Sequence, residues 1–182
     1  MDTDLVIQAQ NGDKGAFTTL AAARADRFLA VSNRILRDFS QAEDATQQAL
    51  LSIWQDLPQL RDPAHFDAWS YRLLVRACYA EARHERGGGP NLHLLPANEP
   101  MTADETGRVV DRDQLDRGFR RLSLDHRTVV VMHHYLDLPL EQVAEALGIP
   151  VGTVASRLHY AMSSMRSALD ADARSTSGEV AQ

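Results

Sequence analysis

LEQVAEALGIPVGTVASRLHYAMSSM, residues 140–165, is the stretch whose reading decides the fold. Leu140, Val143, Ala144 and Leu147 fall at i, i+3, i+4 and i+7, which is one face of a two-turn helix. Gly148 ends it, because glycine alone enters the left-handed region without a steric cost. Ile149 closes the corner, and a longer helix starts near Pro150 or Val151 with Val154, Leu158, Ala161, Met165 and Leu169 directed inward. Short helix, glycine turn and longer helix make up the helix-turn-helix plan, in which the second helix enters the major groove of DNA. Thr153, Ala155, Ser156, Arg157, His159 and Tyr160 are left facing outward. Arg157 suits a guanine edge or a phosphate, and Thr153 and Ser156 suit either. The same pattern also describes a helical hairpin that touches only its own core.

The 182-residue chain carrying this segment is acidic, with a formal net charge of -6. The charge is unevenly placed. Residues 1–60 hold eight acids against five bases, and residues 87–116 hold six acids against two bases. Residues 61–86 carry five arginines against four acids, and residues 151–169 carry Arg157 and Arg166 with no acid. Local potential governs what a surface attracts, so the overall acidity does not exclude DNA as a partner. Hydrophobic residues make up 44% and charged residues 24%, an ordinary globular composition. The single cysteine, Cys78, excludes an internal disulfide and cannot by itself hold a structural zinc. MDTDLVIQAQNGDKG at the start lacks the basic-then-apolar pattern of a secretory signal, and no stretch approaches the length of a membrane span. A cytoplasmic location is the expectation.

Helical spacing runs through nearly the whole chain, which predicts an all-α protein of two small helical domains joined by a flexible acidic linker. Gly87-Gly88-Gly89-Pro90 is the sharpest break. The expected parts are a helical bundle over 1–86, a linker over 87–110, a second domain over 111–170 and a fraying tail over 171–182. In the first domain a helix is expected over about Gly15–Arg37. A second follows Ser40, capped by the pair Ser40 and Glu43, with Ala45, Ala49, Ile53 and Leu57 inward and Leu50 and Trp54 widening the stripe. A third begins at Asp62-Pro63 and directs Phe66, Trp69, Leu73, Ala77 and Ala80 inward. In the second domain Leu115, Phe119 and Leu122 mark a short helix, and Leu124–Tyr135 another.

Three blocks occur together: SQAEDATQQALLSIW at 40–54, FDAWSYRLLVRACYAEARHER at 66–86 and LEQVAEALGIPVGTVASRLHYA at 140–161. In this order the chain resembles the extracytoplasmic-function class of bacterial sigma factors over about residues 4–170. The first two blocks resemble sigma region 2 and the last region 4; there is no room for regions 1.1 and 3. The resemblance implies a protein without enzymatic activity, cofactor, metal or small-molecule substrate. It implies core RNA polymerase as a partner through the clamp helices and the flap, promoter DNA as a second partner, and an anti-sigma factor as a third. Asp44, Gln47 and Gln48 would face polymerase. The loop Leu60–Phe66 matches the loop that captures an unstacked base of the −10 element, with Arg61, His65 and Phe66 at the base and Arg72, Arg76 and Arg83 along the phosphates. Thr153, Ser156, Arg157, His159 and Tyr160 would read the −35 element. In the family the linker threads toward the RNA path, which leaves two readings of the six carboxylates of residues 87–116: a lining for basic channel walls, or a solubilising, disordered linker.

The chain departs from the family pattern at several positions. Ala155 and Tyr160 stand where the family usually has basic residues, Gln48 where it often has Glu, Arg76 where many members have Asn and Ala80 where many have Asp. Two other readings therefore stay open: a stand-alone helix-turn-helix regulator, and a sigma-like decoy that binds a partner without DNA. His126, His133 and His134 lack the spacing of a metal site, the glycine run is a hinge and not a phosphate loop, and Cys78 reads as a packing residue.

Overall fold

The computed structural model describes residues 3–87 and 118–179, with side chains at 3–84 and 118–169. The described residues form helices and turns and contain no strand. The chain divides into two compact units. The first is built on α1 (Thr3–Gln10), α2 (Lys14–Leu36), α3 (Phe39–Asp56) and α4 (Phe66–Gly87). The second is built on α5 (Leu124–Val130) and α7 (Val151–Glu179), with α6 (Leu140–Leu147) between them in sequence. The expected linker lies outside the described residues beyond Gly87, as does Leu115.

Side chains set the helix ends in the first unit. Asp13 accepts from the backbone N–H groups of Gly15 (2.8 Å) and Ala16 (3.0 Å), satisfying two donors that the first turn of α2 leaves unpaired. Arg37, at φ 63°, turns the chain out of α2. The cap of α3 is Asp38 and not Ser40: Asp38 has extended backbone angles and accepts from Gln41 N at 2.9 Å, whereas Ser40 is already inside the helix. Asp62 caps a single 3-10 turn, Pro63–His65, and α4 proper begins at Phe66. The acidic start of the chain also forms a helix that the periodicity did not reveal, α1, which buries Val6 and Ala9 against α2.

The expected stripe on α3 is the centre of this unit. Ala42, Ala45, Ala49 and Leu57 are fully buried and Ile53 nearly so, with α3 packed on α2 and α4. Phe28, Val31 and Ile35 come in from α2, and Phe66, Leu74 and Val75 from α4. Where the three helices meet, the Thr46 hydroxyl donates to the Ala42 carbonyl (2.7 Å) and lies 3.3 Å from Ser32 Oγ, whose own hydroxyl can donate to it, and the Cys78 thiol donates to Ser32 Oγ (3.5 Å). Burial pushes the Cys78 thiol up to about 11, consistent with a packing residue rather than a reactive one. Ala80 is exposed: the inward line of α4 runs through Phe66, Ser70, Leu74 and Cys78, so the far end of the predicted stripe was on the wrong side.

In the second unit the predicted helix Leu124–Tyr135 is present, but its last turn is π-helical, with Leu136 N donating to Val131 O at 3.1 Å. The Nδ1–H of His133 donates to the Leu138 carbonyl at 2.8 Å and ties down the loop that follows. α5 packs on α7, whose buried residues are Val154, Ala161 and Ala168. Leu158, Met165 and Leu169, expected inward, are only half-buried. The tail does not fray at 171, because α7 continues to Glu179 through a run that lacks proline and meets no glycine until Gly178.

Gly148 has φ +66° and Gly152 a helical backbone, and an added Cβ would meet nothing within 4 Å at either. Opposite outcomes are expected from the same substitution. Gly148→Ala should lower the stability of the protein by about 1–2 kcal/mol through backbone strain alone. Gly152→Ala should be neutral or raise it by up to about 1 kcal/mol. Denaturant midpoints of the two full-length variants measure both signs.

Candidate DNA and polymerase interface

The start of α7 splits the five residues expected to read DNA into two sets. Ser156, His159 and Tyr160 are exposed on its outer side, Tyr160 at 65%, and the rings of His159 and Tyr160 lie edge to face with centroids 6.0 Å apart. Thr153 is half-buried at the margin, and its carbonyl accepts from the Ser156 hydroxyl at 3.0 Å. Arg157 lies on the flank toward α5, its Nη2 2.6 Å from Asp125 Oδ2 and its side chain 26% exposed. The outer side therefore consists of Gly152, Ala155, Ser156, His159, Tyr160 and Ser163, continued by the exposed Arg166, and includes no carboxylate among the described side chains.

The loop before α4 is held from several directions. Gln10 of α1 donates through Nε2 to the carbonyls of Leu57 (3.1 Å) and Leu60 (2.7 Å). Asp62 accepts from Ala64 N at 2.9 Å and meets His65 Nδ1 at 2.7 Å; the backbone bond first, and the histidine second, hold its carboxyl below the ordinary aspartate range. His65 and Arg61 are exposed. Phe66 is only 1% exposed, against Trp69 (centroids 5.9 Å apart) and under the Arg24 guanidinium 5.1 Å from its ring centre. Arg24 also bonds Asp67. Phe66 is thus an anchor for the loop and offers no face to a base, a correction to its expected stacking role; its apolar ring is worth more buried than exposed. Of the α4 arginines, Arg76 and Arg83 are exposed and Arg72 is half-buried. Arg83 Nε donates to Tyr79 O at 3.1 Å. The sequence reading missed Gln10 and Arg24, whose partners lie far along the chain.

On α3, Asp44, Gln47 and Gln48 are exposed on the side opposite the alanine stripe. Beside them Phe17, Leu50, Leu51 and Trp54 line an open apolar groove of about 560 Å³ bordered by Lys14 and Gln47. Phe17 and Trp54 meet with ring centroids 4.7 Å apart, and Leu51 is 56% exposed. Leu50 and Trp54, read from the sequence as a widening of the core stripe, belong to this groove.

An exposed polar helix face beside a braced loop, and a short helix, glycine turn and longer helix over residues 140–179, are a combination found in sigma factors. Residues 20–87 match the sequence model of sigma-70 region 2, and residues 112–165 that of sigma-70 region 4. The chain is 34% identical to the ECF RNA polymerase sigma factor SigL of Mycobacterium tuberculosis over 138 residues, covering 73% of this chain and 77% of that protein. It is 24% identical to the ECF RNA polymerase sigma factor SigW of Bacillus subtilis over 174 residues, covering 89% and 93%. Among solved structures it resembles CnrH, determined in complex with the cytosolic domain of CnrY (TM-score 0.67, 20% identity, 94% of this chain and 98% of that chain). It also resembles the sigma factor RpoE of Bartonella quintana, determined with the anti-sigma factor NepR (TM-score 0.70, 19% identity, 86% and 98%). The chain belongs to the extracytoplasmic-function sigma factors. It directs RNA polymerase to promoters at the start of transcription, with core polymerase and promoter DNA as its partners. Among the described residues no helix is long and apolar enough to cross a membrane.

Gln10→Ala should leave the Leu57 and Leu60 carbonyls without their donor and loosen the loop. An unfolding free energy lower by about 1–3 kcal/mol is expected, together with faster tryptic cleavage after Arg61 under native conditions. Unchanged cleavage at Arg61 would show that the amide does not brace the loop.

Proposed function

We propose that the two units divide the promoter between them, the region over 1–86 serving polymerase and the −10 element and the region over 111–170 the −35 element. The exposed face of α3, with Asp44, Gln47 and Gln48, meets the clamp helices of core polymerase. The loop around Arg61 and His65 receives an unstacked −10 base, and Arg72, Arg76 and Arg83 follow the phosphates. Thr153, Ser156, His159 and Tyr160 face the −35 element, while the second unit contacts the flap. The carrying observation is the outward placement of these polar side chains on helices whose opposite sides are buried as core. The likeness to CnrH and RpoE, both solved with a bound partner, supports an anti-sigma factor as the silencing partner of this chain, acting in the cytoplasm.

The sparse positive charge on the outer side of α7 favours dependence on polymerase over a stand-alone regulator, because phosphate neutralisation supplies most of the affinity of a DNA-binding protein acting alone. Run-off transcription with purified core polymerase and a promoter library tests the reading. Transcripts that require this chain are expected, with no gel shift of the same fragments by the chain alone. A strong shift without polymerase would favour the regulator, and polymerase binding without transcripts the decoy.

Asp44→Arg should weaken the polymerase complex by roughly tenfold or more and leave the thermal unfolding midpoint unchanged. Tyr160→Arg should act on DNA instead, tightening holoenzyme binding to a −35-containing fragment and steepening its salt dependence by about one unit. Filter binding in a potassium chloride series reads both quantities.

A further inference from the structure

Arg157 was the one base in the first half of α7 and the natural choice for a DNA contact. The structure gives it other work. Asp125 stands in the first turn of α5, which Ser123 caps by accepting from His126 N (3.3 Å) and which Arg127 secures from the other side through Leu122 O (3.0 Å). From that fixed platform the carboxylate meets Arg157 at 2.6 Å. Both partners are partly screened from water, Arg157 at 26% and Asp125 at 42% side-chain exposure. Around α7, Arg157 sits on the flank, about 40° from the buried Ala161 and about 60° from both the buried Val154 and the exposed Tyr160, and farther from Ser156 and His159. To touch DNA it would have to leave Asp125 and uncover a carboxylate close to the phosphates.

We propose that Arg157 is a positioning residue for −35 recognition. It fixes the rotation of α7 on α5, neutralises Asp125 beside the duplex and makes no contact with DNA itself; base contacts fall to Ser156, His159 and Tyr160. This rests on the reading of α7 as the −35 helix. It reverses the consequence expected for Asp125. If Arg157 were a DNA contact, Asp125 would compete with the duplex for it, and removing the acid would tighten binding. With Arg157 as a positioning residue, removing either member loosens the same helix, and removing both adds nothing.

The experiment measures binding of the reconstituted holoenzyme to a promoter fragment across a potassium chloride series, with wild type, Arg157→Ala, Asp125→Ala and the double variant. Each single variant is expected to weaken binding by a similar factor, about five- to twentyfold, and the double variant to be no weaker than either. The salt slope is expected to stay at the wild-type value, since no phosphate contact is lost. Tighter binding by Asp125→Ala, or a slope lowered by about one unit in Arg157→Ala alone, would overturn the proposal. The exchanged pair Arg157→Asp with Asp125→Arg covers the case in which a single variant unfolds the second unit. Its recovery of binding supports the proposal, and its failure while folded, as judged by circular dichroism, counts against it. A scrambled −35 element is the control for the underlying reading: a wild-type holoenzyme indifferent to it would remove α7 from promoter recognition and the proposal with it.

Discussion

The closeness with which helices meet in this protein is set by small side chains. Ala42, Ala45 and Ala49 lie at zero exposure where α3 is enclosed by α2 and α4. In the second unit Ala161 and Ala168 occupy the inner side of α7, and Gly118 sits so near that an added Cβ would touch Ala168 Cβ and Met165 Cα at 3.6 Å. Alanine contributes little buried area of its own. Its value is that it lets Phe28, Ile35 and Leu74 reach across and fill the space at the density of a well-packed interior. A larger side chain on the alanine side would force the helices apart, at about 1–3 kcal/mol for each such overpacked position. The same constraint creates the functional surfaces. Once one side of α3 is committed to close contact, Asp44, Gln47 and Gln48 have nowhere to be but outside, and α7 is oriented in the same way by its inner alanines.

What could be read from the residues follows from this. A stripe repeated over four turns, Ala45 to Leu57, is visible because burial imposes its period on the sequence, and Gly148 is visible because few residues accept a left-handed turn. Features set by distant partners were not visible. Phe66 in a loop looks like a free aromatic until Arg24 and Trp69 close over it. Ser40 and Asp38 are both good caps, and only the extended backbone at Asp38 decides between them. α1 is too short to declare itself by periodicity and depends on being packed against α2. Arg157 was correctly seen as outside the core, but its partner on another helix could not be seen.

The two elements proposed to face DNA are therefore built on different principles. Capturing an unstacked base costs a few kcal/mol, and a loop that also had to become ordered would add that loss to the cost. The loop from Leu57 to Phe66 is ordered beforehand: Gln10 holds two of its carbonyls, Asp62 clips His65, and Phe66 is sunk into the unit. Binding energy can then go to the base itself. α7 needs no such bracing, since a helix arrives pre-formed and only its rotation and register must be set.

An acidic chain whose α7 carries little charge on its outer side is consistent with the proposed division of labour. Cations bind any duplex, so a helix rich in them holds DNA strongly with little regard to sequence. The exposed Ser156, His159 and Tyr160, the proposed base contacts, have hydrogen-bonding groups and rings whose fit depends on the base. In the proposed arrangement, pairing Arg157 with Asp125 takes that arginine out of the sequence-independent term and keeps the carboxylate neutralised. Such a surface holds DNA weakly by itself. It discriminates once polymerase supplies the encounter, because the second contact is then made within one assembly at a high effective concentration and weak, base-dependent interactions are enough to choose the site.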